Sequence, residues 1–389
     1  MIPPFTQSSA ASTAALDWNE TALADDEYTW TSQPGMPGKR KRCSQEQASL
    51  HLQNGPLARA VLFHLTGERP RRLLLLSHHL VIDTVSWRIL LDELSGAYER
   101  LQQGLPLEPQ ATSSSLQQWA QRLQDYVQSE AMQQEADFWL QQSSSAPALP
   151  VDNPTGANSE SWMQTIEQHL GLEETQALLR EVPQRTRANV EEVLLSALAL
   201  ACWDCFGSPG LAIELEGHGR QALFADVDLS RTVGWFTSTF PLVLEVGSQP
   251  EPLAVLRTTK SQLRRLPQRG IGYGLLRYLH PDAQLRRRLQ EQGQPAVSFN
   301  YLGQFDQVLG HEALFALAPE SSGRENALEN QRAHQLDVVA LIVGEQLHLL
   351  WQYSAQLYQA ETMLRLAQSY LTRLRQVISL TQAAVFRKR

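Results

Sequence analysis

Residues 77–101 have the sequence SHHLVIDTVSWRILLDELSGAYERL, in which a strand end passes through two histidines into a helix. After Asp83 the apolar residues recur at intervals of three and four, which is the spacing of an amphipathic helix. Asp83 or Thr84 is the predicted N-cap of that helix. Upstream, residues 57–65 and 73–76 have strand-like sequences separated by turn residues. We therefore expect a hairpin that leads into the histidines.

The rest of the chain alternates helical and strand patterns, which predicts a mixed α/β protein. Helices are predicted at 119–140, 172–180, 190–206 and 361–380, and strands at 211–215, 297–305, 336–343 and 346–354. Residues 141–161 (QQSSSAPALPVDNPTGANSES) have the composition of a linker, so we place a domain boundary between about residues 140 and 165. The predicted parts are an irregular leader (1–48), an N-terminal subdomain (49–150) and a C-terminal subdomain (160–389).

Composition narrows the class of protein. The chain has 389 residues, of which 42% are apolar and 19% are charged, and its formal net charge is −8. These values are ordinary for a globular protein, and the scattered basic residues argue against a nucleic-acid partner. The N-terminus lacks the pattern of a secretory signal, and no apolar run approaches the ~20 residues of a membrane span. Together with only three cysteines, this predicts a cytoplasmic protein.

Two short motifs, CxxC and GIGYG, could indicate a chemical site, but each also has a purely structural interpretation. Cys202 and Cys205 form a CxxC, typical of redox or zinc sites, but they lie within a helical pattern, which favours simple packing. Gly270–Gly274 (GIGYG) suggests a phosphate-binding loop, yet no strand–turn–helix pattern surrounds it. We expect a tight turn there.

The paired histidines at the predicted strand end are candidates for proton transfer. An imidazole has an ordinary pKa near 6.5, so His79 can act as an acid or a base near neutrality. The alternative is that His78 and His79 are structural or metal-binding residues. Asp83 either orients the histidine loop or pairs with an arginine, and in both cases its expected role is structural.

A second candidate site is Glu216–Arg220 (EGHGR), which ends a predicted strand. Strand alternation places Glu214 and Glu216 on the face opposite to the apolar residues. The glycines on either side of His218 permit a tight turn or the close approach of another backbone segment. Taken alone, this stretch could also be a polar hairpin loop.

Five motifs in order resemble those of the epimerization domains of nonribosomal peptide synthetases, which belong to the condensation-domain superfamily. They are HHLVIDTVSWRILLDEL (78–94), EGHGR (216–220), RTVGWFTSTFPLVLEV (231–246), PQRGIGYGLLRY (267–278) and FNYLGQFD (299–306). Two positions depart from the family pattern. Thr84 stands where the family has glycine, and Gln221 stands where an acidic residue is usual. The resemblance covers about four fifths of the chain, because residues 1–48 contain nothing that matches the family's first motif.

The resemblance implies a fold of two chloramphenicol-acetyltransferase-like subdomains arranged as a V, the first of them incomplete at its N-terminus. It places the histidine loop at their interface, beside a tunnel for phosphopantetheine. The implied reaction inverts the α-carbon of an aminoacyl or peptidyl thioester on a carrier protein. Since inversion exchanges protons on two faces, two acid/base groups are required.

By carry-over onto matching positions, the resemblance assigns these two roles to His79 and Glu216, with Tyr301 as a nearby hydrogen-bonding partner. Supporting residues are predicted at His78, Asp83, Ser86, Trp87, His218, Arg220 and Asn300.

No metal, nicotinamide or pyridoxal cofactor is implied, since the sequence has neither metal-ligand spacing nor a dinucleotide fingerprint. The substrate is expected to arrive on the phosphopantetheine of a carrier protein. The implied partners are that peptidyl carrier domain and neighbouring synthetase modules, without nucleic acid or membrane. Three alternatives remain open: a condensing acyltransferase, a non-catalytic docking domain, and an inactive fragment of a longer synthetase. EGHGR and FNYLGQ favour the epimerase over the condensing enzyme.

Overall fold

The structure is a computed structural model that describes residues 17–22, 41–65, 70–108, 113–142, 149–304, 315–316, 318 and 322–383. Within these residues the chain forms two compact units. The first contains residues up to Asp83, Val233–Trp235 and the described part of Phe315–Ala327, and the second contains the rest. The predicted mixed α/β class is confirmed. The predicted boundary between about 140 and 165 stays a prediction.

A three-stranded sheet forms the first unit. Its strands are β1 (Asp17–Ala22), β2 (Ala58–His64) and β3 (Arg72–Ser77). β1 runs parallel to β2, and β2 runs antiparallel to β3, which confirms the predicted hairpin. Val61 and Phe63 are buried, and Cys43 of helix α1 (Lys41–Ala48) packs against them.

The prediction that residues 1–48 lack regular structure is wrong for β1 and α1. Helix α1 was missed because it is polar, so its stability comes from contacts with the rest of the unit rather than from apolar period. Glu46 is buried and forms ion pairs with Arg42 at 2.8 Å and Arg59 at 3.2 Å. The backbone N–H of Arg324 donates to Ser44 Oγ at 3.2 Å.

A mixed six-stranded sheet forms the centre of the second unit, in the order β4-β9-β8-β7-β5-β6. The β5–β7 and β7–β8 pairs are parallel, and the other neighbouring pairs are antiparallel. The predicted β8–β9 hairpin is confirmed. The strands are β4 (Met163–His169), β5 (Gly210–Gly217), β6 (Ser238–Glu245), β7 (Val297–Gln304), β8 (Leu336–Val343) and β9 (Gln346–Ser354).

Helices supply the rest of this unit. They are α2 (Thr84–Gln102), α3 (Leu116–Tyr126), α4 (Glu130–Gln142), α5 (Leu172–Gln176), α6 (Val182–Thr186), α7 (Val190–Phe206), α8 (Pro252–Arg264), α9 (Ile271–Tyr278), α10 (Ala283–Glu291) and α11 (Ala360–Ala383). One π-helical turn, Ala177–Glu181, joins α5 to α6. No helix in the described ranges has both the length and the apolar character needed to cross a membrane.

Helix α7 is the centre of the hydrophobic core. Its residues from Glu192 to Cys202 are all buried, and it packs against α11 and the sheet. A capping box fixes its start, because Asn189 Oδ1 accepts from the Glu192 N–H at 2.7 Å and the Glu192 carboxylate accepts from the Asn189 N–H at 2.8 Å. Gly207 ends it with a φ of 66°, as predicted.

The CxxC motif lies near the end of helix α7. Cys202 is buried and Cys205 is half-buried, both as free thiols, which confirms the packing interpretation. Across the described ranges, no group of three or more His, Cys, Asp or Glu residues is placed to hold a metal ion.

The GIGYG motif contains a turn at its first residue only. Gln268, Arg269 and Gly270 have φ values of 42°, 54° and 89°, and α9 begins directly afterwards at Ile271. A methyl group on Gly270 would lie 2.2 Å from the Phe240 ring. The expectation of a tight turn over the whole motif is therefore wrong, because apolar residues of this stretch are buried at helical spacing.

A buried carboxyl group lies beside the second glycine of this motif. Glu135 of α4 is buried, and a methyl group on Gly272 would lie 1.8 Å from its carboxylate. Burial raises the pKa of Glu135 to about 7, although Trp139 lowers it in part. The folded protein thus keeps a proton on Glu135 that the unfolded chain releases at lower pH.

Glu135→Gln should stabilise the protein at pH 8. The pKa of Glu135 is higher in the folded protein than in the unfolded chain, so proton binding at Glu135 favours the folded state. This contribution to stability is fully present below about pH 4.5 and is lost as the pH rises towards about 7. The midpoint of thermal unfolding should therefore fall with rising pH in the parent and less in the variant. Asp137→Asn, an exposed change on the same helix, is the control. A difference between variant and parent that does not vary from pH 4 to 8 would contradict the assignment.

Candidate functional site

His79 lies just beyond strand β3 in the first unit. The backbone N–H of His78 donates to the Leu57 carbonyl at 2.8 Å, and His78 Nδ1 accepts from the Leu80 N–H at 3.2 Å. These bonds fix the start of a one-turn 3-10 helix, His79–Val81. His79 is exposed, and its ring meets Trp235 edge-on at 5.6 Å between centroids. Two of the sequence motifs therefore meet here.

The end of the histidine motif leads into helix α2. Asp83 is buried, and the structural role expected for it stays a prediction. Thr84 is the first residue of α2, in accord with the predicted start. Ser86 is fully buried and Trp87 is half-buried in the first turn.

Arg220 of EGHGR binds Ser86. Its Nη2 donates to Ser86 Oγ at 2.8 Å, and its Nη1 donates to the carbonyls of Leu229 at 3.0 Å and Thr232 at 2.6 Å. The guanidinium also lies 4.0 Å from the centre of the Phe236 ring. Arg220 thus joins three motifs of the sequence through one charged group.

The second glycine of EGHGR, Gly219, is required by the close approach of another backbone segment, whereas Gly217 faces side chains. Gly219 has a φ of 65°, and a methyl group there would lie 1.5 Å from the Phe236 carbonyl oxygen. A methyl group on Gly217 would lie 3.0 Å from Ser238 Oγ. Between them, His218 is exposed and its Nδ1 accepts from the Arg220 N–H at 3.0 Å. The predicted close approach is confirmed.

Glu216, near the end of β5, lies beside Asn300 in the middle of the parallel strand β7. The register of β5 and β7 pairs Glu214 with Ser298 and Leu215 with Phe299, so the next pair along is Glu216 with Asn300. Asn300 Nδ2 donates to Glu216 Oε2, and Glu216 is exposed. A hydrogen bond donated to a carboxylate favours its ionised form. Asn300 therefore holds one oxygen of the Glu216 carboxylate in a hydrogen bond.

Tyr301 lies on the opposite face of β7, packed against the hydrophobic core. Burial, and then the charge of Glu191, raise its pKa to about 12, while Arg88 acts in the opposite direction. Tyr301 therefore stays a neutral phenol at physiological pH. The structure brings Asn300 to Glu216 and places Tyr301 on the other side of the sheet.

Arg88 is a site residue that the sequence reasoning missed. Its Nη2 donates to the Leu302 carbonyl at 2.7 Å, and Gly303, with a φ of 76°, leaves room for it. The pairing of β7 with β8 shifts register between Tyr301 and Gln304 at the same place. The sequence did contain one indication of this contact, because Arg88 directly follows Trp87 within the histidine motif.

A family model described as the condensation domain matches residues 30–387 of the chain. A linear gramicidin synthase protein from Brevibacillus parabrevis is 45% identical over 338 residues, which are 86% of this chain and 4% of that protein. Surfactin synthase subunit 1 from Bacillus subtilis (strain 168) is 37% identical over 335 residues, covering 85% of this chain and 9% of that protein. The chain therefore spans only a small part of either relative.

Solved structures share the fold. The crystal structure of the epimerization domain from the third module of tyrocidine synthetase B matches with a TM-score of 0.84 and 32% identity, over 95% of this chain and 81% of that one. A four-domain nonribosomal peptide synthetase bound to AMP and glycine matches with a TM-score of 0.65 and 13% identity, over 94% and 27%. The predicted fold class is confirmed by the first match, and the second shows the fold alone.

Gly219→Ala should destabilise the protein far more than Gly207→Ala. Both residues have a φ near 65°, so both variants pay a similar backbone cost of about 1 kcal/mol. A methyl group on Gly207 meets nothing within 4 Å, whereas one on Gly219 overlaps a carbonyl oxygen. We expect roughly 2 kcal/mol of additional loss in the free energy of unfolding by urea. Equal losses in the two variants would show that the contact with Phe236 is not rigid.

Proposed function

We propose that this chain, which belongs to the condensation-domain family, inverts the α-carbon of an aminoacyl or peptidyl thioester carried on the phosphopantetheine of a carrier protein. The observation that carries the proposal is the exposed Glu216 carboxylate near the end of β5, held by Asn300 of the neighbouring parallel strand β7. These residues come from EGHGR and NYLGQ, the two motifs that favour an epimerase. The similarity to an epimerization domain supports the same activity.

The chemistry requires a base on one face of the α-carbon and an acid on the other. The thioester carbonyl acidifies the α-hydrogen, and removal of that proton leaves an enolate. Protonation of the enolate on one face restores the starting configuration of the α-carbon, and protonation on the other face inverts it. We assign the two groups to Glu216 and His79. One accepts the α-proton while the other donates its own, so the two protonation states are exchanged after each inversion.

The surroundings of the two groups suit these roles. Asn300 donates to Glu216 and favours the carboxylate, which is the form that accepts a proton. His79 is exposed, and its ring contacts Trp235 only at an edge. Tyr301 takes no part in this assignment, because it lies on the face of β7 opposite to Asn300 and packs against the hydrophobic core.

The partner required by this proposal is a peptidyl carrier protein that brings the substrate as a thioester. Neighbouring synthetase modules would load that carrier. The competing function is a condensing acyltransferase, which the family model by itself favours equally. A condensing enzyme joins two carrier-bound substrates and needs no exchange of the α-hydrogen, so the two functions differ in a measurable step.

His79→Ala and Glu216→Gln should each block inversion but leave exchange of one enantiomer. Carrier protein loaded with L- or D-phenylalanyl, leucyl or valyl thioester is incubated in deuterated water, and deuterium uptake and chirality are measured. Because each remaining group still serves its own face, each variant should exchange one enantiomer much faster than the other. Inversion should fall by at least ~100-fold, the usual effect of a lost acid/base group.

His348→Ala and Glu167→Gln are the matched controls, since these two side chains form a hydrogen-bonded pair on β9 and β4 at 3.1 Å. They should exchange and invert both enantiomers at the rate of the parent. No exchange by the parent, together with peptide formation between two loaded carriers, would assign the condensing function instead. Loss of exchange with both enantiomers in one variant and none in the other would mean that a single residue transfers both protons.

A further inference from the structure

Two rows of polar side chains cross the face of the sheet that carries Glu216. In the first row, the strand registers set Glu214 of β5 beside Ser298 of β7, and Ser298 beside Asp337 of β8. In the second row, two residues further along, Glu216 lies beside Asn300. The rows are about 6.6 Å apart, because a parallel strand rises ~3.3 Å per residue.

His334 lies between the two carboxylates of the first row. Its Nε2 is 3.1 Å from Glu214 Oε1, and its Nδ1 is 3.1 Å from Asp337 Oδ1. Each ring nitrogen thus lies within hydrogen-bonding distance of a carboxylate, and the doubly protonated ring can donate to both, while Gln294 Nε2 also lies 3.1 Å from His334 Nε2. His334 is buried, and its hydrogen bonds with the two carboxylates raise its pKa to about 9 against the effect of burial.

The remaining groups around this row leave it close to neutral. Arg332 donates to Asp337 at 2.5 Å, so the charges of Glu214, Asp337, His334 and Arg332 add to zero. Gln294 donates to Glu214 at 3.3 Å without adding charge. Asp337 also accepts from Ser298.

Charged and titratable groups also approach from the neighbouring helices and turns. From α9, Tyr273 is near enough to Glu214 for that charge to raise its pKa, and Arg277 donates to the Tyr273 hydroxyl at 2.6 Å. Around Glu216 itself, the Arg269 carbonyl lies 3.7 Å from where a methyl group on Gly217 would stand. Glu191 lies near Tyr301 on the opposite face.

We propose that His334 is a positioning residue for Glu216, because its positive charge holds Glu214 in an ion pair and keeps that carboxylate from opposing the ionisation of Glu216. The inference rests on the proposed function, in which Glu216 transfers a proton. Without His334, Glu214 would carry an unbalanced negative charge one row from Glu216. Like charges at this separation raise the pKa of a carboxyl group by on the order of one unit.

The test compares His334→Gln with the double variant His334→Gln/Glu214→Gln. Glutamate labelled with ¹³C at the side-chain carboxyl is incorporated, and the Glu216 signal is identified by its absence in Glu216→Gln. The pKa of Glu216 is read from the shift of this signal with pH. The pH dependence of α-deuterium exchange is measured on the same proteins with a carrier loaded with L-phenylalanyl thioester.

In His334→Gln we expect the Glu216 pKa to rise by about one unit. The midpoint of the acidic limb of the exchange profile should shift to higher pH by the same amount. Both should return to the parent value in the double variant, because the charge that His334 balances is then absent. Glu214→Gln alone should move them in the opposite direction, and it serves as the second test if His334→Gln does not fold. His348→Gln, which removes a comparable histidine–glutamate pair at the other edge of the sheet, should leave both unchanged.

An unchanged Glu216 pKa in folded His334→Gln, or a shift that Glu214→Gln does not reverse, would overturn the inference whatever the activity. A parent protein that exchanges no α-hydrogen would overturn the proposed function instead. The two failures are distinguishable because the carboxyl signal is measured without substrate.

Discussion

The guanidinium of Arg220 is the interaction on which the arrangement of motifs depends. A charged group inside a protein needs hydrogen-bond partners. The guanidinium of Arg220 donates to Ser86 and to the carbonyls of Leu229 and Thr232. The start of α2, the segment after EGHGR and the Phe236 ring are therefore all fixed by one side chain. Its replacement by lysine would keep the charge but lose the planar fork that reaches three acceptors.

Parallel pairing supplies the second constraint, because it aligns residues that are far apart in the sequence. Glu216 and Asn300 are 84 positions apart, yet the register of β5 and β7 makes them neighbours. This register, together with that of β7 and β8, builds the row of Glu214, Ser298 and Asp337. The hydrogen bond between Glu216 and Asn300 and the charged row beside it thus follow from the registers of β5, β7 and β8.

The sequence predicted several elements with a strong apolar period and missed the polar helix α1 and the strand β1. Helix α7 and both hairpins were predicted because their own residues determine them. Helix α1 is polar and depends on the ion pairs of Glu46, which no local pattern reveals. In the described part of the chain, β1 pairs with β2, which begins 36 residues further on, counted from Ala22 to Ala58. The candidate site was predictable to the extent that its residues lie in motifs. Asn300 and Tyr301 are adjacent in one motif, but strand alternation puts them on opposite faces, a distinction that motif matching alone does not make. His334 stands in no motif, and only the fold brings it to Glu214.

Gly219 and Gly270 both have close neighbours, but the neighbours differ, and this determines which substitutions each position can accept. Gly219 is opposed by the backbone of Phe236, so no exchange at position 236 can make room for a side chain. Gly270 is opposed by the Phe240 ring, so a smaller residue at 240 would remove the overlap and leave only the backbone cost of about 1 kcal/mol. Positions 270 and 240 should therefore covary among descendants of this sequence, whereas position 219 has no partner whose change could release it.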